Sequence, residues 1–123
     1  MLWEQVRRGL RNVRRVLRLE RQLNIEELCE LAQAIRDYGQ MIQSQENWSA
    51  TPPQYIVVEI PELAFRFRET PRTIKDAILV LNLLGVADPL PRKQQCWKLK
   101  LAEIPTKREY EKAAHRLLDR AAS

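Results

Sequence analysis

Apolar positions mark the start of the chain as helical. Trp3, Val6, Leu10, Val13 and Leu17 stand three or four residues apart, which makes one stripe of an amphipathic helix. Arg7, Arg11, Arg14, Arg18 and Arg21 keep the same rhythm on a neighbouring face. Gly9 weakens this helix by about 1 kcal/mol relative to alanine. The seam favours helix–helix contact, but at about two heptads it is too short for an independent coiled coil.

A second helix is predicted from residue 24 to 43. Asn24 is placed to cap it, with Glu27 three positions later as a box-like partner. Leu23 and Leu28 occupy the staple positions, and the buried face reads Leu28, Leu31, Ile35, Tyr38 and Ile42. The competing reading is one continuous helix over residues 2–43. Residues 44–54 are polar and end in Pro52-Pro53, so they form a loop. The β-branched run Tyr55-Ile56-Val57-Val58 then reads as a strand.

Pro61 suits the first turn of a short third helix, and Glu62 favours its positive end. Thr70 caps the fourth, Pro71 opens it, and Gly85 ends it after Leu84. Residues 86–101 form a hairpin. Pro89 and Pro91 interrupt its first arm, and Arg92-Lys93-Gln94-Gln95 make a polar tip. Trp97, Leu99 and Leu101 alternate on one face of the second arm. Thr106 and Glu109 form a capping box for a last helix carrying Tyr110, Ala113, Ala114, Leu117 and Leu118. There are no internal repeats, and 123 residues fit one domain. Its parts are the basic helix over residues 1–22, a core over 24–101 and the last helix over 106–122.

Charge changes this picture locally. The net charge is +5, and residues 1–21 supply all of it, with seven arginines against Glu4 and Glu20. The remaining 14 basic and 14 acidic side chains cancel. A pI of 9.6 favours polyanionic partners. Two cysteines, Cys29 and Cys96, are too few for a disulfide framework, so a cytoplasmic protein is the expectation. Cys29 reads as a buried core residue and Cys96 as an exposed strand residue. No phosphate-cradling glycine loop, HExxH motif or CxxC pair is present. His115, the one histidine, reads as a surface residue on the last helix. The expectation is therefore a non-enzyme with no cofactor, no metal and no small-molecule ligand.

The order helix, strand, helix, tight turn, helix, hairpin is that of a winged helix-turn-helix. The stretch ELAFRFRETPRTIKDAI, from Glu62 to Ile78, resembles the helix-turn-helix core of many bacterial regulators. The resemblance spans about residues 55–101 and points to the superfamily rather than to a single family. It implies that Leu63 and Ala64 on the first helix clasp Ile74 on the second, with Phe67, Ala77, Ile78 and Leu81 completing the core. The fold class it implies is mainly α with a small β-sheet, extended by amphipathic helices at both ends.

Two departures from the pattern stand out. Arg68 and Glu69 occupy the turn, where a glycine and an apolar residue are usual. The fourth helix also carries Leu79, Val80 and Leu83, which require cover from a terminal helix or a second subunit.

The resemblance implies binding of duplex DNA. Arg72, Thr73 and Lys75 lie on the groove-entering turns, Arg66 and Arg68 are placed for phosphates, and Arg92 and Lys93 sit at the wing tip. A two-fold dimer through the terminal helices places the reading helices ~34 Å apart. The alternative is a protein-interaction adaptor, for which the mark is an exposed patch containing Leu79, Val80 or Leu83. A membrane-surface role for residues 1–21 is the least favoured reading, because docking onto the domain is commoner. RNA binding is hard to argue, since Phe65 and Phe67 are expected to be packed within a helix.

Overall fold

The computed structural model describes residues 23–45 and 55–122. The basic helix expected over residues 1–22, with Arg7, Arg11, Arg14, Arg18 and Arg21, lies outside the described residues, as does most of the expected loop before Tyr55. The described chain is mainly helical with a small three-stranded sheet. Its elements are α1 (Ile25–Gln45), β1 (Tyr55–Glu59), α2 (Ile60–Phe67), α3 (Pro71–Leu83), β2 (Ala87–Pro89), β3 (Cys96–Lys100) and α4 (Lys107–Ala122). Among the described residues no helix is long and apolar enough to cross a membrane.

The helix starts follow local chemistry. Asn24 Oδ1 accepts the Glu27 amide at 2.8 Å, and Leu23 and Asn24 are non-helical. The reading of one helix over residues 2–43 is thereby excluded at this junction. Leu23 packs against the core that holds Leu28. Thr70 Oγ1 accepts the Thr73 amide, and Pro71 opens α3 behind it. Thr106 and Glu109 close a reciprocal box, each amide donating to the other's side chain.

The helix ends use left-handed residues. At the end of α3, Gly85 has φ 75°. Its amide donates to Asn82 and that of Val86 to Leu81, which is the Schellman pattern. Asn82, the polar break in the apolar run, donates from Nδ2 to the Ala87 carbonyl at 2.8 Å and ties α3 to β2. The same pattern ends α2. The Arg68 amide donates to Phe65 and the Glu69 amide to Ala64, with Arg68 at φ 54°.

The turn therefore has the ordinary tight form, and Arg68 adopts the conformation that glycine adopts without strain. Arg68 is exposed, whereas Glu69 is buried. Replacing Arg68 with glycine is expected to stabilise the domain by about 1 kcal/mol, read as an increase in Tm of about 4 °C. An unchanged or lower Tm would show that the arginine side chain makes up for its torsion.

The sheet is antiparallel with order β1–β3–β2. β1 and β3 pair from Tyr55 opposite Lys100 to Glu59 opposite Cys96, and β2 and β3 from Ala87 opposite Leu99 to Pro89 opposite Trp97. Trp97, Leu99 and Leu101 all point into the core. Gly39 lets α1 lie close to this face, since a Cβ there would stand 3.2 Å from Leu99 Cδ1.

α3 is the hub of the fold, in contact with α1, α2, α4 and β2. That position explains its apolar character. Ile74, Ala77, Ile78, Val80 and Leu81 are fully buried, and Leu79 and Leu83 pack against the same core. α1 and α4 both pack on this helix, and Leu79 and Leu83 stay partly buried. Leu63, Ala64 and Ile74 are buried together in the core, with α2 and α3 in contact.

Three expectations about single residues need correction. Cys96 is buried rather than exposed, because it sits opposite Glu59 where the chain turns into α2 and the hairpin loop closes over it. Cys29 is half-buried at the edge of the core rather than inside it. Phe65 is 88% exposed rather than packed. The buried face of α2 is Ile60, Leu63 and Ala64, with Phe67 partly buried beside it. Phe65, five positions after Ile60, falls about 140° round the helix from it.

Candidate functional site

One cleft gathers several of the residues singled out from the sequence. It opens between the start of α3 and the loop joining β2 to β3, with a volume of about 480 Å³. Arg72 and Lys75 enter from α3, one helical turn apart, and Lys93 enters from the loop. All three are exposed. The lining contains no acidic residue. Three cations line one cleft although residues 22–123 are charge-balanced as a whole, and Asp76 beside Arg72 and Lys75 offsets only part of that positive charge.

The loop that carries Lys93 is fixed by backbone hydrogen bonds. The Leu90 amide donates to the Cys96 carbonyl at 3.2 Å, and the Lys93 amide to Leu90 at 3.4 Å. Gln95 takes a left-handed conformation at φ 67°. Its carbonyl accepts the Ile60 amide at 2.9 Å and so joins the loop to the first residue of α2. The cleft walls are therefore set by the fold before any ligand arrives.

The other candidate cations are placed differently. Arg92 is exposed on the loop but does not line the cleft. Arg66 lies over the Tyr38 ring, 4.7 Å from its centroid, and Tyr38 donates to Glu62 Oε1 at 3.3 Å. It is thus engaged with α1 rather than directed at the cleft. Arg68 is exposed at the left-handed turn. Thr73 is half-buried, and its hydroxyl accepts from Thr70 Oγ1 at 2.9 Å, so the side chain belongs to the cap. Two further cations are paired. Lys100 reaches Asp88 at 3.0 Å, and Lys98 lies 4.4 Å from the Tyr55 ring centroid.

Gln94, Gln95, Trp97, Ile60 and Leu90 also line the cleft, beyond the candidate binding residues the sequence marks. The polar tip was the available signal for the two glutamines. The apolar wall has no local signal, because it forms only when the loop approaches α3.

Asp76 follows Lys75 on α3 and is partly buried. Burial holds its carboxyl above the ordinary 3.8, opposed by the nearby charges of Arg72 and Lys75. The folded chain therefore holds this proton more tightly than the unfolded chain does. Stability falls as the pH rises through the ordinary value to the raised one, and is level above both. Asp76→Asn is expected to remove that fall. Urea midpoints of variant and wild type should agree at about pH 3 and separate in favour of the variant at about pH 7. A wild type more stable at the higher pH would show that the ionised carboxylate is favourably held.

The thiol of Cys29 is pushed up by burial and by Glu111 and Glu30, with Lys107 opposing, so it stays protonated near neutral pH and is a poor nucleophile. His115 is exposed on α4. No group of side chains among the described residues is arranged to hold a metal ion. Compared with known proteins, the chain matches no protein-family model, no curated protein and no solved structure.

Proposed function

We propose that this domain is a winged helix-turn-helix module that grips duplex DNA. In this reading α2 and α3 are the helix pair, and the β2–β3 hairpin is the wing. The observation that carries the reading is the convergence of Arg72 and Lys75 from α3 with Lys93 from the hairpin loop, without an acid in the lining. Cations from two elements lining one cleft suit a phosphodiester backbone, whose phosphate contacts supply most of the affinity in such complexes. Arg92, exposed on the same loop, is proposed to contact a neighbouring phosphate. Arg68 at the turn is a further candidate, whereas Arg66 must first leave the Tyr38 ring. Thr70 caps α3 by accepting the Thr73 amide, and the Thr73 hydroxyl is engaged with that cap, so in this reading Thr73 steadies the turn that carries Arg72 and Lys75 rather than touching a base.

A second reading, a protein-interaction adaptor, is favoured by one observation: Phe65 presents an almost fully exposed ring on α2. Of Leu79, Val80 and Leu83, Val80 is fully buried, and Leu79 and Leu83 are partly buried against the core.

Titration of a duplex by the full chain at several salt concentrations tests the DNA reading. Arg72→Ala/Lys75→Ala is expected to reduce the slope of log K against log salt by about 2, with a similar loss on every duplex sequence. Equal affinity and equal slope for the variant, or no binding at low salt, would overturn it.

A further inference from the structure

A phosphodiester backbone needs cations, but it does not need an apolar recess behind them. The cleft has one. Ile60, Leu90, Cys96 and Trp97 form its inner wall, and Cys96 and Trp97 are each only 9% exposed. Gln94 and Gln95 stand at the rim, both exposed, and each side-chain amide offers donors and an acceptor side by side. The lining thus combines three cations, two side-chain amides and an apolar surface.

The cleft volume of about 480 Å³ lies in the range of small-molecule sites. The hydrogen bonds from Leu90 to Cys96 and from Ile60 to Gln95 hold its walls in place, which lowers the ordering cost of binding.

We propose that this cleft is a binding pocket for a single nucleotide. Its phosphate is held among Arg72, Lys75 and Lys93. Its base lies against the Trp97 and Leu90 wall, with the base edge within reach of the Gln94 and Gln95 amides. Neither part of the ligand accounts for the cleft alone: an inorganic anion leaves the apolar wall unused, and an uncharged planar molecule leaves three cations unused. The same chemistry is available from a free mononucleotide or from an unpaired terminal nucleotide of a strand. The pocket shares cations with the proposed duplex grip but does not depend on that grip existing.

The test uses the full chain, isothermal calorimetry, and NMR shifts of the Trp97 indole N–H and the Lys93, Gln94 and Gln95 amides. The probes are deoxyadenosine 5′-monophosphate, deoxyadenosine and inorganic phosphate. The monophosphate is expected to bind at least about ten-fold more tightly than either half, and to shift those four resonances together. Lys75→Ala/Lys93→Ala is expected to weaken the monophosphate at least about ten-fold while leaving deoxyadenosine unchanged. Both side chains are exposed, and an unchanged thermal melt confirms that the variant folds.

A monophosphate no tighter than inorganic phosphate would overturn the proposal, as would shifts elsewhere on the surface or undiminished binding by the variant. A duplex carrying a one-nucleotide 5′-phosphorylated overhang, compared with a blunt one, distinguishes the sources. Preference for the overhang identifies a strand end, and equal affinity identifies the free nucleotide. Monophosphate binding without duplex binding leaves the pocket standing and removes the DNA reading; duplex binding without a monophosphate response removes the pocket alone.

Discussion

Ile74→Ala is expected to cost about 3–4 kcal/mol, a large share of the stability of a domain of this size. Ile74 is fully buried on α3, the helix that touches α1, α2, α4 and β2. α3 is held by four elements along its length, so it cannot shift far to fill the void without losing contacts elsewhere. The cost is then the transfer term plus most of the cavity term. At about 4 °C per kcal/mol, Tm should fall by about 12–16 °C. Leu63→Ala, on the facing helix, is expected to be similarly costly. Because the two side chains share one core between α2 and α3, the double variant should lose measurably less than the sum of the two singles. Strict additivity in urea denaturation would show that the pair is not in contact, and a loss below about 1 kcal/mol for Ile74→Ala would show that the site collapses freely.

The second large effect is electrostatic. Arg36 is 5% exposed. From α1 its Nε donates to the Glu103 carbonyl and its Nη2 to the Leu101 carbonyl, both at 3.2 Å. One planar guanidinium therefore holds the segment that leaves β3, 65 and 67 residues away in sequence. Its charge is partly balanced by the exposed carboxylate of Asp37 at 3.6 Å. Arg36→Ala leaves two carbonyls without their donor, one fully and one partly buried, at about 1–3 kcal/mol each. The expected loss is about 3 kcal/mol, seen as a reduced urea midpoint. Arg36→Lys should recover less than half of it, since a single ammonium on a flexible stem lacks the fork that spans both acceptors. Full rescue by lysine would show that charge, rather than geometry, is what Arg36 supplies.

What could be read from the chain beforehand divides along the same physical line. Asn24, Thr70-Pro71, Gly85 and the Thr106–Glu109 box each act within a few residues, so their chemistry is complete in the local sequence. The buried positions Leu28, Leu31, Ile35 and Tyr38 of α1 and Trp97 and Leu99 of β3 follow from periodicity, while Ile74, Ala77, Ile78 and Leu81 of α3 are those the helix-turn-helix resemblance implies, and all are buried.

Arg36 was not legible, because its partners are main-chain carbonyls that no side-chain pattern marks. Strict alternation treats the outer face of a strand as open along its whole length, whereas Cys96 is buried where β3 meets the turn into α2. A short helix is not packed all round, and the spacing of Phe65 from Ile60, Leu63 and Ala64 places it off the buried face. Arg68 shows that a turn which commonly uses glycine can be built without it. Of the candidate site, the cations at Arg72, Lys75 and Lys93 were named in advance. Their meeting in one cleft with Trp97 and Leu90 depends on a tertiary approach that no single segment encodes.

The bond from the Ile60 amide to Gln95 has a consequence for measurement. An amide at the first position of a helix has no acceptor within that helix and ordinarily trades its proton with water quickly. Here the acceptor belongs to the hairpin loop. The deuterium uptake of this single amide therefore counts how often the loop lifts away from α2, making Ile60 a built-in gauge of opening that needs no label.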